Sequence, residues 1–456
     1  MLSWLIEYKR PWLWTLFHVL LGYVSTFSNI VLITYFYLFL LSSIFTLIRD
    51  RFSGQTLTFL IVYLVPFEIV CRMAETSPMI PYEMGKYIQF ALLLLGLISN
   101  YSKGTVGLVM LFLLLPALTF DLSRKVDFNG LIFNILSPIN LCLAVIFFYK
   151  RKFTEEQLKN IFVFILLPLI SALVFAFVRT PNYEEIEFRL AANFETTGGF
   201  GSNQVSTVFG LGMFLSFYLW YSRKPISGSR LFDLFILLTF VLQGLLSFSR
   251  GGMLGGALAI LIFLLVTFRY KPVVKEKKFS RKKYLIPAIV AIFATILYAN
   301  DVTDGKLLLR YQGETDGTFA GTREKDINTI TTNRTTILEG DFNLFIEHPW
   351  GVGAGASRYL RRMENGVVSH LELGRLISEH GYLGFIFFII LTFIPLYFFK
   401  FSSGSLTGFI LFSLFFVAWY TTFHAATRNF VAPLLIGLSL ISINNKSNLS
   451  NNAARI

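Results

Sequence analysis

The sequence predicts an all-α, polytopic integral membrane protein of about 12 to 14 transmembrane helices with one large external loop. Three observations carry that prediction. The 456 residues are 54% hydrophobic and 17% aromatic but only 15% charged, too apolar for a water-soluble domain. The apolar residues fall in runs that approach the roughly 20 residues needed to cross a bilayer. The basic residues gather in alternate connectors between those runs, as the cytoplasmic side of a membrane protein requires.

In chain order, the runs lie near 11–26, 29–48, 56–72, 83–99, 104–120, 129–149, 157–178, 200–222, 231–248, 251–268, 284–299, 381–399, 405–424 and 429–443. Basic connectors at Lys150 to Lys159, Arg223 to Arg230 and Arg269 to Lys283 mark one side of the membrane as cytoplasmic. Counting from them places 181–197, the turn at Arg250, the polar stretch 301–380 and the turn near Arg428 on the external side. Arg124 and Lys125 run against this assignment. The chain divides into N-terminal helices (1–180), helices with arginine-bearing external turns (181–299), a large external loop (300–380) and C-terminal helices with a short cytoplasmic tail (381–456). Lys9 and Arg10 precede the first run and no small-residue cleavage site follows, so that run reads as a retained anchor.

The net charge of +13 would suggest nucleic acid in a soluble protein. Here it follows from the positive connectors, so the expected partners are membrane lipids and no nucleic acid. Cys71 and Cys142 both lie in or beside apolar runs and offer neither a disulfide framework nor a thiolate metal site. No paired-Cys, HExxH or His-triad spacing occurs, and Asp301 to Gly305 opens like a calcium loop but lacks its later ligands. Neither a metal nor a cofactor is read from the sequence.

The external connectors hold arginines that the charge bias would normally remove: Arg189, Arg250, Arg334 and Arg428. Arg250 lies in Ser247-Phe248-Ser249-Arg250-Gly251-Gly252, between two apolar helices, where a guanidinium needs an anion, a wet cavity or the headgroup layer. It either snorkels to lipid phosphates or binds a phosphorylated ligand, whose oxygens match its fork. His370 is a candidate general base. Glu372, Arg375 and Glu379 share one helix face and read as a solvated stripe of ion pairs. Gly351, Gly353 and Gly355 read as a flexible turn, His348 as a turn residue and His380 as a helix end. His18 and His424, in or beside apolar runs, carry no assigned role.

The stretch from Arg334 to Glu339, then Phe345 to Gly355, then Ser369-His370 with Glu379 and Gly381, resembles the O-antigen ligase and polymerase superfamily. The Ser249-Arg250-Gly251-Gly252 turn resembles that family's other signature, so the likeness covers about 185–400. It implies a multi-pass enzyme of the bacterial cytoplasmic (inner) membrane whose active face is periplasmic. Such enzymes take a glycan from an undecaprenyl-diphosphate-linked donor and join it to an acceptor hydroxyl in surface polysaccharide assembly, without a metal. The reading is a repeat-unit polymerase acting on a lipid-linked acceptor. The alternatives are an O-antigen ligase to lipid A-core, a protein O-oligosaccharyltransferase and, from a different class, a lipid-glycan flippase. The resemblance implies that Arg250 and an arginine before the preceding helix hold the diphosphate and that His370 sits beside the acceptor. Arg189 fills that second place here without the family's Gly and Pro-Asn, and Arg334 is a further diphosphate candidate.

Overall fold

A computed structural model describes residues 9–99, 104–269, 279–362, 366–402 and 406–444. The chain is helical almost throughout. The N-terminal part comprises α1 (Pro11–Ser25), α2 (Asn29–Arg49), α3 (Gly54–Leu64), α4 (Phe67–Met73), α5 (Met84–Ser99), α6 (Thr105–Leu114), α7 (Phe128–Phe148) and α8 (Glu155–Arg179). Next come α9 (Ser202–Tyr221), α10 (Arg230–Leu246), α11 (Arg250–Arg269) and α12 (Phe279–Asp301). The polar loop folds into α13 (Lys306–Tyr311), α14 (Asp316–Phe319), α15 (Ile327–Thr331), α16 (Arg334–Glu347) and α17 (Ser357–Leu360). The chain returns as α18 (Glu372–Ser402), α19 (Leu406–Thr421) and α20 (Val431–Leu438).

Six helices among the described residues are long and apolar enough to cross a membrane: Asn29–Arg49, Gly54–Met73, Phe128–Phe148, Glu155–Arg179, Arg250–Thr267 and Glu372–Leu396. Four shorter apolar helices accompany them. At the centre of the described helices lies the largely buried α8, which α1, α3, α4 and α9 pack around. Its start is fixed locally by a capping box between Thr154 and Gln157, with Glu155 and Glu156 at the positive end of the helix. Helices on the rim turn apolar side chains outward instead, as Ile30, Leu38 and Phe45 of α2 do, the arrangement lipid requires.

Two joints position the polar loop. Where α9 crosses α11, a Cβ on Gly252 would lie 2.2 Å from the Thr207 backbone nitrogen, so the crossing closes only with glycine there. The second joint is at Gly381, where α18 kinks (φ 60°, ψ −139°). The Ser378 carbonyl accepts from Val352 N–H (2.9 Å), the Glu379 carbonyl from Gly353 N–H (3.1 Å), and Tyr382 N–H donates to the Pro349 carbonyl (2.9 Å). The glycine-rich 351–355 segment is therefore a fixed plug in the side of a kinked helix and not the flexible turn the sequence suggests.

The solvated stripe expected at Glu372, Arg375 and Glu379 is also overturned. All three are buried, because the helix begins well before the apolar run and this polar turn packs inward. Glu372 pairs with Arg375 and accepts from the Thr427 backbone N–H (3.1 Å), while Glu379 accepts from Asn134 (3.1 Å) and Ser357 (2.9 Å). These bonds tie α18 to α7, α17 and the turn after α19. His380 ends the first of the two helical segments that meet at the Gly381 kink, the helix end the sequence suggests.

The parallel strands β1 (Lys152–Phe153) and β2 (Ser442–Ile443) put the basic connector near Lys152 on the same face as the segment after α20. Most of the third basic connector, 270–278, lies outside the described residues. The topology can be checked because Cys71 and Cys142 are buried. A cysteine at the exposed Thr322 in the loop is expected to react with an impermeant thiol reagent in intact spheroplasts. One at the exposed Lys152 is expected to react only after lysis. The opposite pattern inverts the orientation.

Candidate functional site

Arg250 is the first residue of α11 and Arg334 the first of α16, and neither helix carries an acidic residue in its first turn. A helix N-terminus is the positive end of its dipole and normally attracts acids. Two such ends headed by arginine form a place that repels cations and draws anions. Arg250 donates to the Arg310 carbonyl (3.0 Å) and to the Ile330 carbonyl, drawing α13 and α15 over the head of α11. Arg310 is buried and donates to the Phe248 carbonyl (3.5 Å). Arg428, from the turn after α19, completes the group. Among the described residues none of these four arginines makes an ion pair.

The contrast with the N-terminal half is informative. There, in a region where the sequence suggested no charge cluster, Arg72 pairs with Glu68 and with Glu83 (3.1 Å), Lys86 pairs with Glu83, and Arg72 also reaches Gln204 (2.7 Å). Buried charges that are structural find partners in this way. Among the described residues the four loop-face arginines meet backbone carbonyls and a histidine but no carboxylate in an ion pair.

Their proximity shows in their ionisation. Burial pushes Arg310 down to about 10, helped by Arg250 and Arg334. Burial pushes Arg428 to the same level, helped by Arg375 and Arg334. Burial and then Arg250 lower Arg334 as well. Each guanidinium remains charged at neutral pH, but the cluster is strained by its own repulsion, which an anion would relieve.

His370 lies at the edge of this cluster. Arg428 staples its segment, donating to the carbonyls of Val368 (2.7 Å) and Ser369 (2.8 Å) and to His370 Nδ1 (3.3 Å). Arginine only donates, so Nδ1 is an acceptor and the neutral ring carries its proton on Nε2. Burial, followed by Arg428 and Arg334, pushes the imidazole down to about 3. It is therefore neutral at physiological pH. His424 borders the same space, with Nε2 3.0 Å from Thr207 Oγ1 and its ring against Gly251. Burial and then Arg334 push it to about 3 too.

The structure thus brings together Arg250, Arg334 and His370. Arg189 stands apart. Its side chain is 66% exposed and pairs with Glu187 at 2.9 Å. Arg310 and Arg428 join Arg250 and Arg334 in the cluster. Arg310 carries no motif and sits in a stretch already rich in charge, so nothing in the sequence singles it out. Arg428 does stand out, as an arginine on an external turn, and His424 does not, being the edge of an apolar run. Tyr311 and Tyr420 also face the cluster, each within the field of Arg250.

Residues 234–389 match the family model described as O-antigen ligase, a segment that contains Arg250, Arg310, Arg334 and His370 and excludes Arg189 and Arg428. No curated protein sequence matches the chain significantly. The matched segment, about a third of the chain, is similar to the O-antigen ligase family, and the all-α polytopic fold that carries it agrees with that likeness.

Proposed function

We propose that the protein is a repeat-unit polymerase that transfers a glycan from an undecaprenyl-diphosphate-linked donor to the hydroxyl of a second lipid-linked unit, on the periplasmic face of the inner membrane. The observation that carries this reading is the unpaired cluster of Arg250, Arg310, Arg334 and Arg428 beside His370. The acceptor oxygen attacks the anomeric carbon, the bond from that carbon to the diphosphate oxygen breaks, and the electron pair leaves with the diphosphate. Fixed guanidinium groups in a low-dielectric site stabilise the charge that grows on the leaving oxygens. This supplies by side chains what a divalent cation supplies elsewhere.

The acceptor's proton passes to His370. In the free enzyme the ring is a poor base, since Nδ1 is taken by Arg428 and the surrounding cations oppose protonation. A bound diphosphate reverses both conditions. It offsets the positive field and draws the Arg428 guanidinium, whose contact with His370 is longer than its two contacts with backbone carbonyls. Donor binding then switches on the base.

A deletion strain tests the assignment of acceptor. Surface glycan reduced to a single repeat unit still attached to its carrier is the expected result. Loss of every unit from lipid A-core would make the protein a ligase.

A further inference from the structure

On the loop face, a cleft of about 750 Å³ opens between the 182–188 segment and the end of α12. Resting on the transferase reading, we infer that this cleft is the subsite for the glycan of the donor, selective for neutral or amino-bearing sugars over acidic ones.

The walls fit that ligand. Tyr183 and Tyr298 line the cleft with their rings 6.5 Å apart, edge to face, and Tyr298 is half exposed. Such rings offer apolar faces to the C–H faces of a pyranose and hydroxyls to its oxygens. The floor is apolar and buried at Ile186 and Phe188. Around the rim stand Glu184, Glu185, Asp301 and Asp304, with Asn182 donating to Glu185 at 2.9 Å. Carboxylates accept from sugar hydroxyls and ammonium groups and repel a uronic or sialic acid. The volume lies within the range of small-molecule sites, roughly 300–1,000 Å³.

The position fits as well. Phe188 stacks on Phe248 (5.5 Å, 20°), two residues before Arg250, so the cleft and the arginine cluster share a wall. Two residues past Asp304 at the cleft, α13 starts at Lys306 and reaches Arg310 in the cluster after a rise of about 6 Å at 1.5 Å per residue, about the length of one sugar ring. Arginines at one end and carboxylates at the other fix the polarity of a substrate that is anionic at its diphosphate and neutral along its glycan.

The test uses full-length protein in nanodiscs with two polyprenyl-diphosphate donors, one carrying a single sugar and one a neutral oligosaccharide. Tyr183→Ala with Tyr298→Ala is expected to raise KM for the oligosaccharide donor about tenfold while leaving the single-sugar donor unchanged, and Tyr298→Phe, which keeps the ring and loses only the hydroxyl, is expected to raise it less. Asp301→Asn with Asp304→Asn is expected to narrow the preference for a neutral over a uronic-acid-containing donor. Equal effects on both donor lengths, or no effect on either, overturn the subsite. Binding of the free labelled oligosaccharide, without lipid or diphosphate, reads the cleft even where no transfer occurs. It is expected to fall in the double tyrosine variant and to survive Arg250→Ala. Failure of wild-type transfer with intact oligosaccharide binding would count against the transferase reading and not the cleft, whereas binding that ignores the tyrosines overturns the cleft alone.

Discussion

Arg250→Lys is expected to lose most transfer activity although the charge at the head of α11 is kept. An ammonium is a point donor and cannot span the Arg310 and Ile330 carbonyls while offering a fork to phosphate. Arg250→Ala is expected to reduce turnover by about 10²–10³, the usual cost of deleting one donor aimed at developing charge. Arg310→Ala and Arg334→Ala belong to the same class, whereas Arg189→Ala is expected to stay close to wild type, because its guanidinium faces solvent and Glu187. Rates are compared at equal membrane abundance, since Arg250 also holds α13 and α15 in place. Wild-type activity in Arg250→Lys would reduce the residue to a strap between the loop and the membrane helices.

His370→Gln is expected to keep donor binding and lose transfer by about a hundredfold or more, the contribution of a general base. The pH dependence separates this role from a structural one. The base must be neutral to accept a proton, so activity falls as pH drops through the folded-state pKa. In the free enzyme that value is pushed down to about 3, and kcat/KM for the donor should show no histidine limb near neutrality. With the diphosphate bound, the cationic field is offset and the pKa climbs back towards the ordinary value of about 6.5. The limb in kcat therefore lies at higher pH than the limb in kcat/KM. Arg428→Ala removes the second-largest cause of the depression and frees Nδ1, so it is expected to bring the two limbs together. Coincident limbs in the wild type, or a His370→Gln variant of normal rate, would leave orientation and electrostatics as the whole mechanism.

The membrane helices were largely legible because lipid imposes a rule on composition. A run such as 129–149 is read from its apolar residues alone, and α7 occupies Phe128–Phe148. The start of α18 was not, since a polar helical turn looks the same in sequence whether it meets water or a buried partner. Glu372, Arg375 and Glu379 met the partners Asn134, Ser357 and Thr427, supplied from three other places in the chain. The kink at Gly381 was hidden for the same reason, because the 351–355 plug that satisfies its carbonyls is remote in sequence. In the site, Arg250 was readable as an arginine between two apolar helices, and His370 through its motif. Arg310 was not, because only the fold of α13 over α11 distinguishes it from the other loop cations. Arg189 is the converse case: its place in the chain fits the family pattern only in part, and its side chain is exposed and paired with Glu187.

The central claim is that the four arginines form a diphosphate site, and it is tested most directly by equilibrium binding of farnesyl diphosphate and of farnesol to the purified full-length protein in nanodiscs. The account predicts that the diphosphate binds at least tenfold more tightly than the alcohol, that this advantage weakens with salt as charge pairing requires, and that Arg334→Ala and Arg250→Ala each remove most of it while Arg189→Ala does not. Equal affinity for the two ligands, or an advantage that survives both substitutions, would contradict it.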